Sequence, residues 1–253
     1  MENTFFENAE KELDGIKFYQ SHPTLKPFIG KNYLSNELGM KILLVGESHY
    51  VEEPLPEITS DSLLSDWWGE APPLINDISW YTTRGTIGKF ILGDSGKSYA
   101  LFRAPCEIYN QCVLNGKYQT WQEIYSIFDS FAFINYFQMP ALYEGMAFRT
   151  SLWKLNGENK KYHPKSSEIF DKTKKLSNDV FLSVIEILKP DKIIFLSMEA
   201  YRAFTGLNED YDKNRVFGTD HPTCHWWNRK KKDGLSGKER LVKFFNTLVS
   251  ERK

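Results

Sequence analysis

The chain has 253 residues, which suits one large domain with its own hydrophobic core and excludes small scaffolds that need disulfides or metals to fold. Its 41% hydrophobic and 26% charged residues exclude extensive disorder and fibrous structures. The formal net charge of −1 excludes a global positive field that would attract nucleic acid, but the charge is uneven. Residues 1–79 hold 14 acidic and 5 basic side chains, whereas residues 229–243 hold 2 acidic and 7 basic ones.

The cysteines and the N-terminus indicate the compartment. Cys106, Cys112 and Cys224 show no CxxC spacing and are odd in number, which favours reduced thiols over a disulfide framework. The chain begins with acidic residues where a signal peptide would be basic, and no apolar run approaches the roughly 20 residues of a membrane helix. We therefore expect a cytoplasmic protein without a membrane partner, and we take it to be a monomer.

Short apolar runs alternate with helical patterns along the chain. Residues of about 1–38 are expected to form a helical extension, and the acidic, proline-containing stretch of about 51–80 an insertion after the first strand. The core elements expected in chain order are strands at 41–45 and 131–134, a helix at 166–188, strands at 192–196 and 215–217, and a closing helix at about 236–252. Strands joined by crossover helices predict a single α/β domain, 1–253, with three α/β/α layers around a four-stranded, mostly parallel sheet.

Polar residues follow three of these strands. Residues 46–50 (Gly-Glu-Ser-His-Tyr) come after the first strand, Asn135 after the second, and residues 221–223 (His-Pro-Thr) after the last. Ligands of open parallel sheets bind at the carboxyl ends of the strands, so we expect these residues to line one crevice. Taken singly, each is more often a cap, a turn former or a core residue. Together they offer a carboxylate, an amide and an imidazole, which is a minimal set for hydrolysis.

The motifs resemble those of a known family, the uracil-DNA glycosylase superfamily. Residues 46–50 are similar to its first motif, Gly-Gln-Asp-Pro-Tyr in the prototype branch and Gly-Glu-Ala-Pro-Gly in the iron–sulfur branch. Residues 221–223 resemble its second motif, His-Pro-Ser, and residues 234–246 the Gly-x-x-Gly segment and helix that follow it. Asn135 falls where the superfamily carries an asparagine at the end of its second core strand. The resemblance extends over about residues 40–246.

This resemblance implies a reaction and two catalytic residues. The protein would be a glycosylase-like hydrolase that cleaves the N-glycosidic bond of a flipped deaminated base in DNA, with uracil as the expected base. Glu47 would orient a water molecule and offset positive charge on the sugar. His221 would donate a hydrogen bond to the departing base. The resemblance implies no cofactor and no metal.

The resemblance also implies a set of residues around the base. Asn135 would read the Watson–Crick edge, and Tyr50 would exclude the methyl group of thymine. Tyr81 would stack on the base, because residues 84–87 loosely resemble a Gly-Arg-x-Gly segment of the iron–sulfur branch, although Trp80 is an alternative for the same role. Two further residues of the first motif complete the expected base-binding set: Gly46 and Ser48.

The segment after the second motif is expected to contact DNA, single- or double-stranded. It combines aromatic residues that can fill a vacated base stack with basic residues that can neutralise phosphates. The alternative is that its tryptophans pack on the closing helix and its basic residues are solvated. The expected DNA-binding residues are Thr223, His225, Trp226, Trp227, Arg229, Lys230 and Lys231.

The sequence also departs from the family pattern. Ser48 stands where the prototype branch has its catalytic aspartate, His49 replaces the proline of the motif, and the four cysteines of the iron–sulfur branch are missing. The acidic insertion would repel DNA if it overhung the crevice. Two other functions therefore stay open, namely a non-catalytic nucleic-acid-binding member of this fold and a hydrolase of a small glycoside. A metal site that combines Glu47 with His49, His221 and His225 is a weaker alternative.

Overall fold

A computed structural model of the protein describes residues 2–50, 67–69, 82–94, 99–143, 145–155 and 164–252. The helices are α1 (Glu2–Gly15), α2 (Lys17–Ser21), α3 (Thr83–Leu92), α4 (Ala100–Cys112), α5 (Trp121–Ser126), α6 (Phe148–Leu155), α7 (Pro164–Leu188), α8 (Met198–Leu207) and α9 (Gly237–Glu251). The strands are β1 (Phe28–Ile29), β2 (Ile42–Tyr50), β3 (Ala132–Ala141), β4 (Lys192–Phe195) and β5 (Val216–Gly218). Within the described part of the chain, none of the helices combines the length and apolar composition needed to cross a bilayer.

The strands form one mostly parallel sheet in the order β1-β3-β2-β4-β5. β2, β3, β4 and β5 run parallel to one another, and β1 pairs antiparallel with β3 at the edge. The prediction of an α/β fold with a mostly parallel sheet is confirmed, but the described sheet has five strands rather than four. The additional strand, β1, has only two residues, which is too short for a hydrophobic pattern to reveal.

Alternate residues of the central strands pack on opposite faces of the sheet. Leu43 and Val45 belong to a buried cluster with α1, α7 and α8, whereas Ile42 and Leu44 belong to a second cluster with α3, α4 and α9. Because helices cover both faces, β2 begins with an unbroken apolar run instead of an alternating one. The architecture is the expected three-layer α/β/α arrangement.

Two helices illustrate how local sequence sets the element boundaries. α7 ends at Leu188 because Lys189 adopts a left-handed conformation with φ of 47° and Pro190 cannot continue a helix. α9 begins after Ser236, whose hydroxyl accepts from the Glu239 N–H while the Glu239 carboxylate accepts from the Ser236 N–H. This reciprocal capping box satisfies two N–H groups that have no partner within the helix.

β2 is longer than the sequence predicts. It continues to Tyr50, so residues 46–50 lie within the strand and not after it. β4 pairs with β2 only as far as Val45, and residues 46–50 therefore extend beyond the end of β4. The expectation that this motif follows the strand is wrong, because β3 continues beside β2 and provides it with a pairing partner. At the carboxyl edge of the sheet, β2 and β3 therefore extend further than β4.

The expected N-terminal extension and insertion are described to different extents. Residues of about 1–38 contain α1, α2 and β1. Of the insertion expected at about 51–80, the described residues are 67–69, and the remainder of that expectation lies outside the described residues. Trp67 is buried, and its indole N–H donates to the backbone carbonyl of Gln138 at 3.1 Å.

Candidate active site

The Glu47 carboxylate is bound by the N-termini of two helices. One oxygen accepts the backbone N–H of Phe148, the first residue of α6, at 2.7 Å. The other accepts the hydroxyl of Ser197, the N-cap of α8, also at 2.7 Å. Burial raises the pKa of Glu47, the two hydrogen bonds oppose this shift, and the nearby Glu199 charge adds to it. Glu47 therefore joins β2 to α6 and α8.

Asn135 packs against Gly46 on the neighbouring strand. The two residues pair directly in the β2–β3 register. A Cβ atom at Gly46 would collide with the Asn135 side-chain oxygen and approach the Phe133 ring to 2.9 Å. Asn135 is 6% exposed, and its side-chain oxygen is buried without a hydrogen-bond partner. Glycine at position 46 thus makes room for a buried amide whose oxygen can still accept a hydrogen bond.

The structure places Glu47 and Asn135 on opposite faces of the sheet. The Asn135 amide lies where a side chain at Gly46 would point, on the face of α3, α4 and α9. Glu47 follows Gly46 directly, so its side chain points to the other face, where it meets α6 and α8. The two residues were expected to follow their strands and to line one crevice. Both instead lie within longer strands, and their side chains point to opposite faces of the sheet.

His221 follows β5, and its hydrogen bonds determine the tautomer of its neutral imidazole ring. Its Nδ1 lies 3.2 Å from the Thr223 backbone N–H and 2.7 Å from the Thr223 hydroxyl. Since a backbone N–H can only donate, Nδ1 is an acceptor, and the proton of the neutral ring is on Nε2. Burial lowers the pKa of His221 to about 4. Near neutral pH the ring is therefore a neutral Nε2–H donor.

The residue before His221 forms a buried ion pair. Asp220 is 6% exposed, and one of its oxygens lies 2.5 Å from the ammonium of Lys231. The other oxygen is buried without a hydrogen-bond partner, close to Gly237 at the start of α9. Lys231 was expected to contact DNA, but its ammonium is held by Asp220. This expectation is corrected because a buried carboxylate needs a compensating charge.

The two tryptophans of the segment after His221 differ in environment. Trp227 is 6% exposed and belongs to the cluster beneath α9, where a Cβ atom at Gly237 would approach its ring to 3.1 Å. Trp226 is 42% exposed, and its ring centroid lies 4.3 Å from that of His225. The expectation that both tryptophans contact DNA is therefore corrected for Trp227, which packs in the core.

The other expected DNA-binding residues lie at the surface. Lys230 is 68% exposed, and its ammonium lies 3.8 Å from the Glu239 carboxylate, a separation typical of weak surface pairs. The remaining members of the set are exposed as well: Thr223, His225 and Arg229. An aromatic and basic surface thus borders His221.

The last residues of the first motif have separate environments. Ser48 is half-buried, and Tyr50, the end of β2, is exposed. His49 lies with Nε2 3.1 Å from the hydroxyl of Thr83, the first residue of α3, and burial lowers the pKa of His49 to about 4. His49 therefore joins β2 to α3. Tyr81, the expected stacking residue, lies outside the described residues.

A metal site that combines Glu47 with histidines was the weaker alternative from the sequence. Across the residues that the structure describes, no three His, Cys, Asp or Glu side chains are grouped so that they would hold a metal ion. His49 and His221 instead use their ring nitrogens in hydrogen bonds to Thr83 and Thr223. The structure therefore gives no support to metal binding by these histidines.

Sequence reasoning missed two residues near the site. Ser197 was not singled out, although a serine after a buried strand and two residues before a glutamate is a typical N-cap signal. Gln138 was also missed. It is a polar residue within an otherwise apolar stretch of β3, and it is fully buried. A buried amide in such a position indicates internal hydrogen bonding.

Comparisons with known proteins do not identify a family for this chain. No family model matches the sequence, and no curated protein matches it. The functional interpretation therefore depends on the geometry described above.

Proposed function

We propose that the protein hydrolyses the N-glycosidic bond of a flipped, deaminated base in DNA, with uracil as the expected base. The observation that carries the proposal is the state of His221. Thr223 holds its Nδ1 as an acceptor, so that a neutral Nε2–H donor is present at the carboxyl end of β5. The exposed Trp226 and Arg229 follow directly.

A neutral donor suits the chemistry of glycosidic cleavage. As the bond breaks, negative charge develops on the departing base and positive charge on the sugar. A positioned N–H group stabilises the negative charge that develops on the base, and it does so more in the transition state than in the ground state. Because the pKa of His221 is lowered to about 4, the ring is neutral near pH 7, and its Nε2–H acts as a neutral donor.

Asn135 and Gly46 supply a basis for base recognition. The buried Asn135 side-chain oxygen has no hydrogen-bond partner, and it fills the space that a side chain at Gly46 would need. An amide of this kind can pair with the edge of a base, and a base that lacks the matching group leaves the amide unsatisfied. In the proposal Asn135 reads the base, and His221 stabilises its departure.

Assays with synthetic DNA test the proposed activity. Single- and double-stranded oligonucleotides that contain one uracil are incubated with the protein, and abasic sites are revealed by alkaline cleavage. We expect strand scission at uracil and a decrease of about 100-fold or more in rate for His221→Leu, the scale seen when a transition-state donor is removed. Gln20→Leu, a change at an exposed residue of α2 outside the expected DNA-binding set, is the control. Absence of scission with uracil, hypoxanthine or xanthine would overturn the proposal.

A second function is favoured by the position of Glu47. Both Glu47 oxygens bind α6 and α8, and the side chain lies on the face opposite Asn135. This arrangement suits a protein that binds nucleic acid without cleaving a base from it. Such a protein would bind uracil-containing DNA with an affinity that decreases as salt increases, and would release no base. A Glu47→Gln variant would then keep the affinity of the unmodified protein.

The proposed setting is the cytoplasm, where the protein would act as a monomer. It is supported by the three unpaired cysteines, Cys106, Cys112 and Cys224. Size-exclusion chromatography under reducing conditions tests the monomer, which should elute near the 29.5 kDa of one chain.

A further inference from the structure

Gln138 lies where β3 departs from regular pairing with β2. Ser48 pairs with Phe137, but Tyr50 pairs with Ala141, so β3 contains additional residues over this interval. Bulges of this kind leave backbone groups without a partner in the ladder and change the direction of side chains. Because Gln138 is fully buried, its polar groups need partners within the protein.

Four parts of the chain supply those partners. The Gln138 backbone N–H donates to the Ser177 hydroxyl of α7 at 3.0 Å, and its backbone carbonyl accepts from the Trp67 indole at 3.1 Å. Its side-chain oxygen accepts from the Tyr19 hydroxyl of α2 at 3.4 Å. Its side-chain amide donates to the backbone carbonyl of Asn135. Gln138 therefore links the N-terminal helices and Trp67 to Asn135.

Asn135 has little freedom to move within this network. On one side Gly46 makes direct contact with its side-chain oxygen, and on the other side the Gln138 amide holds its backbone carbonyl. The direction of the Asn135 amide thus depends on a peptide unit that Gln138 fixes. Misplacement of a recognising group by about 1 Å lowers reaction rates by about 100-fold.

We propose that Gln138 is a positioning residue for base recognition, and that Tyr19 and Trp67 support it. Gln138 does not touch the base. It sets the peptide unit of Asn135, so that the N-terminal helix α2 contributes to base selectivity. This inference rests on the proposed function, since selectivity is defined only for a protein that recognises a base.

The primary test compares excision of uracil and cytosine from the same single-stranded oligonucleotide. Gln138→Met preserves the length of the side chain but removes both of its hydrogen bonds. We expect it to reduce the uracil-to-cytosine rate ratio by about 10-fold or more, because a loosened amide discriminates less well. Tyr19→Phe removes one of the two bonds, and we expect a smaller reduction of about 3-fold. Gln20→Met, at an exposed neighbour of Tyr19, is the control and should leave the ratio unchanged.

A spectroscopic measurement separates this inference from the proposed function. The side-chain amide signals of Asn135 in a ¹H–¹⁵N spectrum, identified by their loss in Asn135→Asp, report its position without any reaction. We expect Gln138→Met to shift these signals and Gln20→Met to leave them in place. Free uracil added at millimolar concentration should shift them in the unmodified protein and less so in Gln138→Met.

The outcomes are distinct. If the unmodified protein releases no base, the proposed function fails, and a shift of the Asn135 signals in Gln138→Met still supports positioning by Gln138. If Gln138→Met folds and changes neither the rate ratio nor the Asn135 signals, the inference is overturned. If Gln138→Met does not fold, Tyr19→Phe decides, because an unchanged ratio together with unchanged Asn135 signals then overturns it.

Discussion

Two carboxylates near the carboxyl edge of the sheet, the half-buried Glu47 and the buried Asp220, are held in different ways. Glu47 accepts hydrogen bonds from the backbone of Phe148 and the hydroxyl of Ser197, at the N-termini of two helices. Asp220 forms an ion pair with Lys231. Burial raises the pKa of Glu47 and its two neutral donors oppose this shift, whereas Asp220 has a full opposite charge beside it. Burial of a carboxylate therefore does not by itself identify a catalytic residue. The groups that bind the carboxylate must be considered as well.

The largest effect on stability is expected when the Asp220 ion pair is broken. Lys231→Met leaves a buried carboxylate without its cation, and we expect the free energy of unfolding to fall by about 3 kcal/mol. Urea denaturation measures this change. Lys230→Met is the matched control, since Lys230 forms only an exposed 3.8 Å pair and should change stability by about 0.5 kcal/mol or less. Equal effects of the two substitutions would show that the ion pair between Lys231 and Asp220 does not stabilise the fold.

Removal of the Glu47 side chain is expected to have a smaller effect. Glu47→Ala deprives α6 and α8 of an acceptor at their N-termini, and caps of this kind contribute about 1 kcal/mol each, so we expect a loss of about 2 kcal/mol. Ser197→Ala removes one of these contacts and should cost about half as much. Chemical denaturation of both variants provides the comparison. An unchanged stability of Glu47→Ala would show that the carboxylate is not a structural link.

The pH dependence of stability should distinguish the histidines from Glu47. Burial lowers the pKa of His49 and His221 to about 4 from 6.5, so the stability they contribute is present above pH 6.5 and is lost as pH falls toward 4. We expect a loss of about 1–3 kcal/mol per histidine over this range. The pKa of Glu47 is raised, so its contribution has the opposite sign and decreases as pH rises above 4.5.

Denaturation midpoints between pH 4 and pH 8 test these signs. His49→Gln and His221→Gln should each reduce the loss of stability at low pH, and Glu47→Gln should reduce the loss at higher pH. His225→Gln, at an exposed position, is the control and should follow the unmodified protein. A profile that is identical in all variants would show that none of these groups is coupled to folding.

The smallest effect on stability is expected at the exposed basic residues. Arg229→Gln and Lys230→Gln should change the free energy of unfolding by about 0.5 kcal/mol or less. If they contact phosphates, each should reduce the slope of DNA affinity against salt by about 1. Fluorescence anisotropy at several salt concentrations measures this slope. An unchanged slope would exclude these two side chains from the DNA surface.

Much of the fold follows from sequence pattern. The helix expected at 166–188 is α7, and the strand expected at 192–196 is β4, because a long amphipathic period and a buried apolar run are strong signals. β1 was missed since its two residues gain stability only by pairing with β3. The continuation of β2 through polar residues was missed for a related reason. Pairing with a distant strand outweighed the local tendency of this segment to form a loop.

The candidate site was less predictable than the fold. Trp226 and Trp227 are chemically identical neighbours, and only packing beneath α9 makes one a core residue and the other a surface residue. Lys231 finds its partner, Asp220, eleven positions away, which no short motif encodes. The hydrogen bonds of Thr223 to His221 are local, by contrast, and the spacing of the two residues in the sequence is consistent with them.

The contact between Gly46 and Asn135 has a consequence for how this sequence can change. Any side chain at position 46 would occupy the space of the Asn135 amide and approach the Phe133 ring. A substitution at position 46 alone is therefore not tolerated sterically. It becomes tolerated only after a smaller residue has replaced Asn135. The two substitutions must therefore occur in a fixed order, and the first one removes the Asn135 amide. A lineage that has lost the Asn135 amide is free to replace this glycine, and one that keeps the amide is not.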